Sequence, residues 1–487
     1  MQPLGYLIEQ LDVLEVIGND QIEVSNIAID SRRISSGGLF VAIPGTSADG
    51  HTFIDNAIQN GATCVVCMRL PKQPDHQVTW VRVQDSARVA GKLAHRFYGS
   101  PTSKLQLVGV TGTNGKTTVV TLLHDLMSSL GIPVGLISTV ECRSAQRIIP
   151  ATHTTPDPVT LNALLQEMVS EGCTHAFMEV SSHALVQQRT SGLRFSGGIF
   201  TNLSHDHLDY HGDFKSYIAA KKLFFDGLGE DAFALVNADD PRSEIMVQNC
   251  AAKVSKYSLH KLADFKGKIL GNHIEGLHLQ VNGVEVMSKL VGTFNAYNLL
   301  AVYGAAVQLG FDPSEVLTHL SGLDPVTGRF DLTHNPARGV SAVVDYAHTP
   351  DALQKVLGTL RQLKDNRARL MVLIGCGGDR DKAKRPKMGD IAASLSDLAI
   401  LTSDNPRSED PEAILDDMMA GISEEHRRKV LRISDRREAI RAAVRMAQHG
   451  DIILIAGKGH ETYQEINGKR FPFNDKELVH EALFEDI

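Results

Sequence analysis

No apolar run in the 487 residues approaches the ~20 needed to cross a bilayer, which excludes a helical membrane span. The opening Met1-Gln2-Pro3-Leu4-Gly5 lacks a basic stretch followed by an apolar one, so no secretory signal is expected. Cysteine is scarce: six in the whole chain are too few for a disulfide scaffold. Cys64 and Cys67 form a C-x-x-C with no second pair to complete a zinc site. They fall in residues 63–68, which read as a buried strand, so structural thiols in a reducing cytoplasm are expected. Basic charge is not in excess either. Lys and Arg number 49 against 57 Asp and Glu, a net of -8, which argues against a broad nucleic-acid-binding face. A local basic pocket for a small anion remains open. Internal repeats and low-complexity tracts are missing.

What is present suits a soluble globular chain: 43% hydrophobic and 22% charged residues. At roughly 150 residues per domain, the length suggests about three domains. Short apolar runs alternate with helical stretches, at 105–110, 134–138, 176–180, 198–201 and 234–237. A second set lies at 342–345, 370–374, 398–402 and 451–456. Continuous apolar strands between helices indicate parallel sheets covered on both faces. Boundaries are expected near residues 98–103 and 324–329. They divide the chain into 1–100, 101–328 and 329–487. The fold class expected is α/β with three domains: a smaller N-terminal α/β domain, a central parallel sheet that binds a mononucleotide, and a C-terminal Rossmann-like domain.

The run Gly112-Thr113-Asn114-Gly115-Lys116-Thr117-Thr118 stands between the strand 105–110 and a helical stretch, 119–130. Strand, glycine loop and helix are the setting of a phosphate loop. Backbone N–H groups and the helix N-terminus attract phosphate, Lys116 adds a point charge, and the Thr117 hydroxyl can reach Mg²⁺. The first glycine of G-x-x-x-x-G-K-[ST] should stand at 110, where the chain has Val110. A variant loop for ATP is the reading adopted.

Glu179 lies at the end of the 176–180 strand, where a carboxylate can hold Mg²⁺ beside a phosphate loop. Residues 205–211 hold three histidines and two aspartates in seven positions. Three readings stand: a metal cluster of a hydrolase, a strand-to-helix turn capped by Ser204 or Asp206, or a single histidine serving a Mg²⁺ or phosphate site. Lys221 and Lys222 lie on a helical pattern that by itself suggests a solvated face. In the last third, four polar, glycine-rich loops follow strands: 345–350, 375–381, 403–407 and 457–461. Ligands bind outside the carboxyl ends of parallel strands, so these loops outline one pocket. Arg380, Arg407 and Lys458 against Asp404 and Glu461 suit a zwitterion, with arginine on a carboxylate and acids on an ammonium.

Together these residues resemble the Mur ligases, the amino-acid ligases that build the peptide of bacterial cell-wall precursors. The resemblance rests on 112–118, Glu179-Val180-Ser181-Ser182-His183, 201–212, Asn295-Ala296-Tyr297-Asn298, 345–350 and 457–461. Asp404-Asn405-Pro406-Arg407 is similar to the motif of members that add meso-diaminopimelate to UDP-N-acetylmuramoyl-L-alanyl-D-glutamate. Members that add lysine typically lack the arginine. The resemblance implies ATP as co-substrate at 112–118, with Asn298, Arg329, Asp345 and His348 meeting the nucleotide. It implies Mg²⁺ held with the help of Thr117, Glu179, His207 and a carbamylated Lys221. Lys116, Glu179, His207 and Lys221 would be catalytic. Ser31, Thr46, Ser47 and Ala48 would meet the uridine end. Thr154, Thr155, Ser181, Gln187 and Arg189 would position the muramoyl dipeptide. Arg380, Asp404, Asn405, Pro406, Arg407, Gly457 and Glu461 would hold diaminopimelate. One departure is His153, where the family usually has asparagine before Thr-Thr-Pro. A cytoplasmic monomer with small-molecule substrates, and neither nucleic acid nor membrane as partner, is the expectation. A folylpolyglutamate-type ligase, a metal-dependent hydrolase and a non-enzymatic nucleotide switch are the rivals.

Overall fold

The structure, a computed structural model, describes residues 1–45, 48–145, 147–151 and 153–485. Strands form where the apolar runs predict, with ends shifted by a residue or two. Gln106–Thr111, Val134–Ile137, His175–Glu179, Gly197–Phe200 and Phe233–Asn237 are all parallel neighbours in one sheet. That sheet has 11 strands among the described residues. The hairpin Glu141–Arg143 and Ile148–Pro150 extends one edge, and the antiparallel strands Gly276–Val281 and Val284–Ser288 close the other. Helices cover both faces, as continuous apolar strands require. Val108, Val110 and Leu235 face a core shared with Lys116–Ser129 and Thr293–Gln308, while Leu107, Met178 and Val236 face one shared with Phe214–Asp226.

The C-terminal sheet runs Asp331–Asn335, Val340–Asp345, Ile452–Ala456, Leu370–Ile374, Leu398–Leu401, Val430–Arg432, with all but the first strand parallel. The four polar loops therefore leave four consecutive strands at the same edge. Among the described residues the N-terminal sheet has five strands, including Ala62–Cys67. Side chains three apart on a strand point to opposite faces. Cys64 accordingly packs in one core and Cys67 in the other, so the pair can neither bridge nor share a metal. Burial pushes the Cys67 thiol up to about 11, as inert structural cysteines require.

Candidate active site

Val110 explains why the textual glycine motif fails. It is an interior residue of the strand Gln106–Thr111, paired on both sides with Glu179 and Ile199. The loop proper starts at Gly112, whose φ of +147° would carry a Cβ to 1.9 Å from Thr201 Oγ1. Gly115, at φ +88°, caps the helix Lys116–Ser129, and a Cβ there would meet Asn298 Oδ1 at 2.6 Å. Only glycine fits either place. The helix begins at Lys116, three residues before the pattern suggested, so its N-terminus opens directly on the loop. Lys116 Nζ donates to the carbonyls of Gly112 (3.0 Å) and Thr113 (2.9 Å).

Glu179 ends the neighbouring strand and is 1% exposed. Its Oε1 accepts from Thr117 Oγ1 at 2.8 Å and from the Thr139 N–H at 2.7 Å. Arg329 reaches in from the C-terminal region, donating from Nη2 to Thr117 Oγ1 at 3.0 Å. A hydroxyl and a carboxylate oxygen this close at a helix N-terminus match what Mg²⁺ takes from a protein, the remaining positions going to phosphate and water. Among the described residues no group of three or more His, Cys, Asp and Glu is arranged to hold a metal. The histidine-rich segment disperses instead. His205 stacks on Phe214, His211 lies 2.9 Å from Ser182 Oγ, and His207 alone turns to the cleft. The predicted cap is absent as well. His207, at φ +53°, occupies the N-cap of Leu208–His211 without a side-chain cap bond, and Ser204 Oγ finds no partner. Burial pulls His207 down to about 4, so its imidazole is neutral and can act as a ligand at neutral pH.

Lys221 overturns the solvated-face reading. It is 1% exposed, on the inward stripe of Phe214–Asp226 with Tyr217, Phe224 and Phe225. Its Nζ donates to Gly112 O at 2.8 Å, the same carbonyl that Lys116 holds. Burial, then the neighbouring Lys116, pull the Lys221 ammonium well below its ordinary range.

Thr154, Thr155, Ser181, Gln187 and Arg189 form one network. Arg189 donates to Thr155 O (2.6 Å) and to Gln187 Oε1 (2.7 Å); Ser181 N–H donates to Thr155 Oγ1 (3.2 Å); Thr139 Oγ1 donates to Thr154 Oγ1 (3.1 Å). The N-terminal candidates stand apart. Ser31 is buried in a 3₁₀ turn capped by Asp30, Ala48 is exposed, and neither lines the cleft; Thr46 and Ser47 lie outside the described residues.

In the C-terminal loops, Asp404 and Asn405 are buried and Arg380 is exposed. Arg407, at φ +53°, donates from Nη1 to Gly378 O at 2.7 Å, while Asn405 Nδ2 donates to Glu461 Oε2 at 2.8 Å. Pro406 holds the turn by backbone contact: its carbonyl accepts from Glu409 N–H, and it would meet a Cβ on Gly378 at 1.9 Å. Asp345 spends both carboxylate oxygens on backbone N–H groups, of Phe330 (2.7 Å) and Ala347 (2.8 Å). It thereby fixes the turn that presents Arg329. His348 lies beside it, with Nδ1 2.9 Å from Tyr346 O. Lys458, expected among the pocket charges, is fully buried and does not line the cleft.

One cleft of about 1830 Å³ joins these parts. Lys116, Thr117 and Asn298 line it together with Thr155, Ser181 and Arg189 and with Arg380, Arg407, Gly457 and Glu461. His153 lines it too, in the asparagine's place. Sequence reasoning missed Thr139 and Asp351, and weighed Asp206 only as a helix cap or as part of a histidine–aspartate metal cluster. Asp206 lines the cleft with its carboxylate 3.4 Å from His207 Nε2, and Asp351 accepts from Asn114 Nδ2 at 3.0 Å across 237 residues. Asp206 was visible in the histidine-rich segment. Nothing local to Asp351, in the first turn of Pro350–Leu363, points to a partner so distant.

Three family models match the chain. They are the Mur ligase family catalytic domain over 23–98, the Mur ligase middle domain over 110–306, and the Mur ligase glutamate ligase domain over 328–459. The UDP-N-acetylmuramoyl-L-alanyl-D-glutamate--2,6-diaminopimelate ligase of Cytophaga hutchinsonii is 53% identical over 478 residues, 98% of each chain. The Phocaeicola vulgatus protein of the same name is 54% identical over 480 residues, 99% of each. A solved structure of a ligase of that name is similar at a TM-score of 0.67 and 35% identity, over 94% of each chain.

Proposed function

Because the chain belongs to the Mur ligase family, we propose that it adds meso-diaminopimelate to UDP-N-acetylmuramoyl-L-alanyl-D-glutamate, driven by ATP, in peptidoglycan precursor synthesis. The observation that carries this reading is the unbroken cleft from the phosphate loop to the mixed-charge pocket of Arg407 and Glu461. A nucleotide switch has no use for that second pocket. Among the described residues the histidines lack the grouping that a metal-dependent hydrolase requires.

In the mechanism that follows, the D-glutamyl γ-carboxylate attacks the γ-phosphorus of ATP. ADP leaves and an acyl phosphate remains. The amine of diaminopimelate adds to the acyl carbon, and the tetrahedral intermediate expels phosphate. Lys116 and the loop N–H groups offset charge on the transferring phosphoryl oxygens. Thr117, Glu179 and His207, with a carbamylated Lys221, are the groups that would hold Mg²⁺, which when bound supplies further positive charge there. Arg189 and the Thr155–Ser181 pair position the dipeptide, and Arg407 takes a carboxylate of diaminopimelate. Arg329 on Thr117 and Asp351 on Asn114 bring the C-terminal domain onto the loop, sheltering the acyl phosphate from water.

We place the domains at 1–100, 101–328 and 329–487. The sheets support this: the first ends at Val83, the second spans Gln106 to Ser288, and the third begins at Asp331. A cytoplasmic monomer fits the six free cysteines and a cleft built from one chain. Among the described residues no helix is long and apolar enough to cross a membrane.

Sustained ADP release, beyond a single turnover, is expected only when ATP, the UDP-linked dipeptide and meso-diaminopimelate are present together. Brisk ADP release without the amino acid sinks the ligase reading. Arg407→Ala is expected to raise KM for meso-diaminopimelate by about tenfold or more, the scale of one charge-assisted hydrogen bond. Any turnover of L-lysine should change little, and an equal loss for both amino acids counts against Arg407 as the selector.

A further inference from the structure

Lys458 has no part in the scheme above, yet it is completely buried. It follows the strand Ile452–Ala456 across Gly457, whose φ of +112° turns the chain inward beneath the cleft. An ammonium group enclosed in this way is costly unless its charge is matched. Its Nζ donates to Asn405 Oδ1 at 2.9 Å and to Glu461 Oε2 at 3.1 Å, and lies 3.9 Å from Asp404 Oδ1. Asn405 Oδ1 accepts a second bond, from the Glu465 N–H at 2.9 Å, while its Nδ2 donates to Glu461 Oε2 at 2.8 Å. With two donors on Oδ1, the amide has a single orientation.

We propose that Lys458 is a positioning residue of the amino-acid pocket, which locks the Asn405 amide and holds Glu461 as a carboxylate beside Asp404 to receive a substrate ammonium group. This rests on the reading of the pocket as the diaminopimelate site. The charge of Asp404 disfavours a second carboxylate at Glu461, and the Lys458 cation, within 3.9 Å of both, offsets that. The groups facing Glu461 come from several elements: Asp404 after Leu398–Leu401, Tyr346 after Val340–Asp345, Arg436 at the start of Arg436–Met446, and Tyr463. Burial and then Asp404 push the Glu461 carboxyl up, and Lys458 opposes them. Because Lys458 does not line the cleft, it acts through these neighbours and not on the substrate.

The test uses full-length K458M and K458R. KM for meso-diaminopimelate, for ATP and for the UDP-linked dipeptide is measured between about pH 6 and about pH 9. K458M is expected to raise KM for the amino acid about tenfold or more and that for ATP less than about twofold. Without its counter-ion Glu461 takes a proton at higher pH, so binding fails sooner as pH falls and the acid limb of 1/KM moves up. K458R keeps the charge and should return that limb toward the parent's position. An equal rise in all three KM values, or an unmoved acid limb, overturns the proposal. Should K458M fail to fold, K458M/E461Q is compared with E461Q. The acid limb of 1/KM should then coincide in the two variants, and a limb that still differs between them refutes action through Glu461. The parent enzyme keeps the two readings apart. If it turns over L-lysine and not diaminopimelate, the substrate assignment fails, and the Lys458 comparison is run with lysine.

Discussion

Lys221→Ala is expected to lower turnover about a hundred- to a thousandfold, the scale of losing one preorganised group at a developing charge. Acetate or formate should restore part of it. The reason lies in the crowding at Gly112 O, where Lys221 and Lys116 both donate to one carbonyl. Two ammonium groups so placed in a buried site repel, and burial and then Lys116 pull the Lys221 ammonium well below its ordinary range. A neutral amine is the form that adds to CO₂. The product is a carbamate anion and a released proton. With Lys221 so modified, its nitrogen would retain one N–H, the bond to Gly112 O would survive, and the two-cation conflict would become an anion beside Lys116. The new oxygens are hard donors of the kind Mg²⁺ prefers. Lys221→Met preserves the packing against Tyr217 and Phe224, and should lose as much activity as alanine without a large fall in Tm. Carbon-13 bicarbonate should give a carbamate resonance in the parent and none in either variant. Undiminished turnover in Lys221→Met removes the carbamate from the mechanism.

Lys116→Met should be as severe, with about a hundred- to a thousandfold lost in kcat. Lys116 Nζ already spans the Gly112 and Thr113 carbonyls, so it is held at the mouth of the loop before any nucleotide arrives. That preorganisation makes the charge effective at the transferring phosphate. Arginine should not substitute: its planar fork on a longer stem cannot sit between two carbonyls of a closed loop. The decisive comparison is kcat against KM for ATP. A rise in KM alone, with kcat intact, assigns Lys116 to ground-state binding and contradicts a role in phosphoryl transfer.

Much of this was legible along the chain. The apolar runs marked the strands because a strand buried on both faces has no polar positions to break its pattern. The phosphate loop was legible since its glycines and lysine act within seven residues, and Gly112 and Gly115 mark backbone that no side chain can share. The missed features depend on distance. Val110 looked like a broken motif until its ladder partners Glu179 and Ile199 showed it to be strand. Lys458 looked like a pocket charge, and Lys221 and Lys222 like two equivalent surface lysines.

The sequence by itself determined the three-part α/β architecture, a glycine loop of the kind that cradles phosphate, and a set of charged loops at the ends of parallel strands. These follow from periodicity and from short-range chemistry, which a linear text preserves. Tertiary structure alone decided which charges face the cleft and which lie beneath it. It turned Lys221 inward and Lys222 toward Asp226, set Lys458 under Asn405 and Glu461, and brought Asp351 to Asn114. Burial and the proximity of other charges shift the protonation of a lysine, and both arise largely from residues distant in the chain, 109 positions away for Lys221 and Gly112 and 53 for Lys458 and Asn405, which no local pattern encodes.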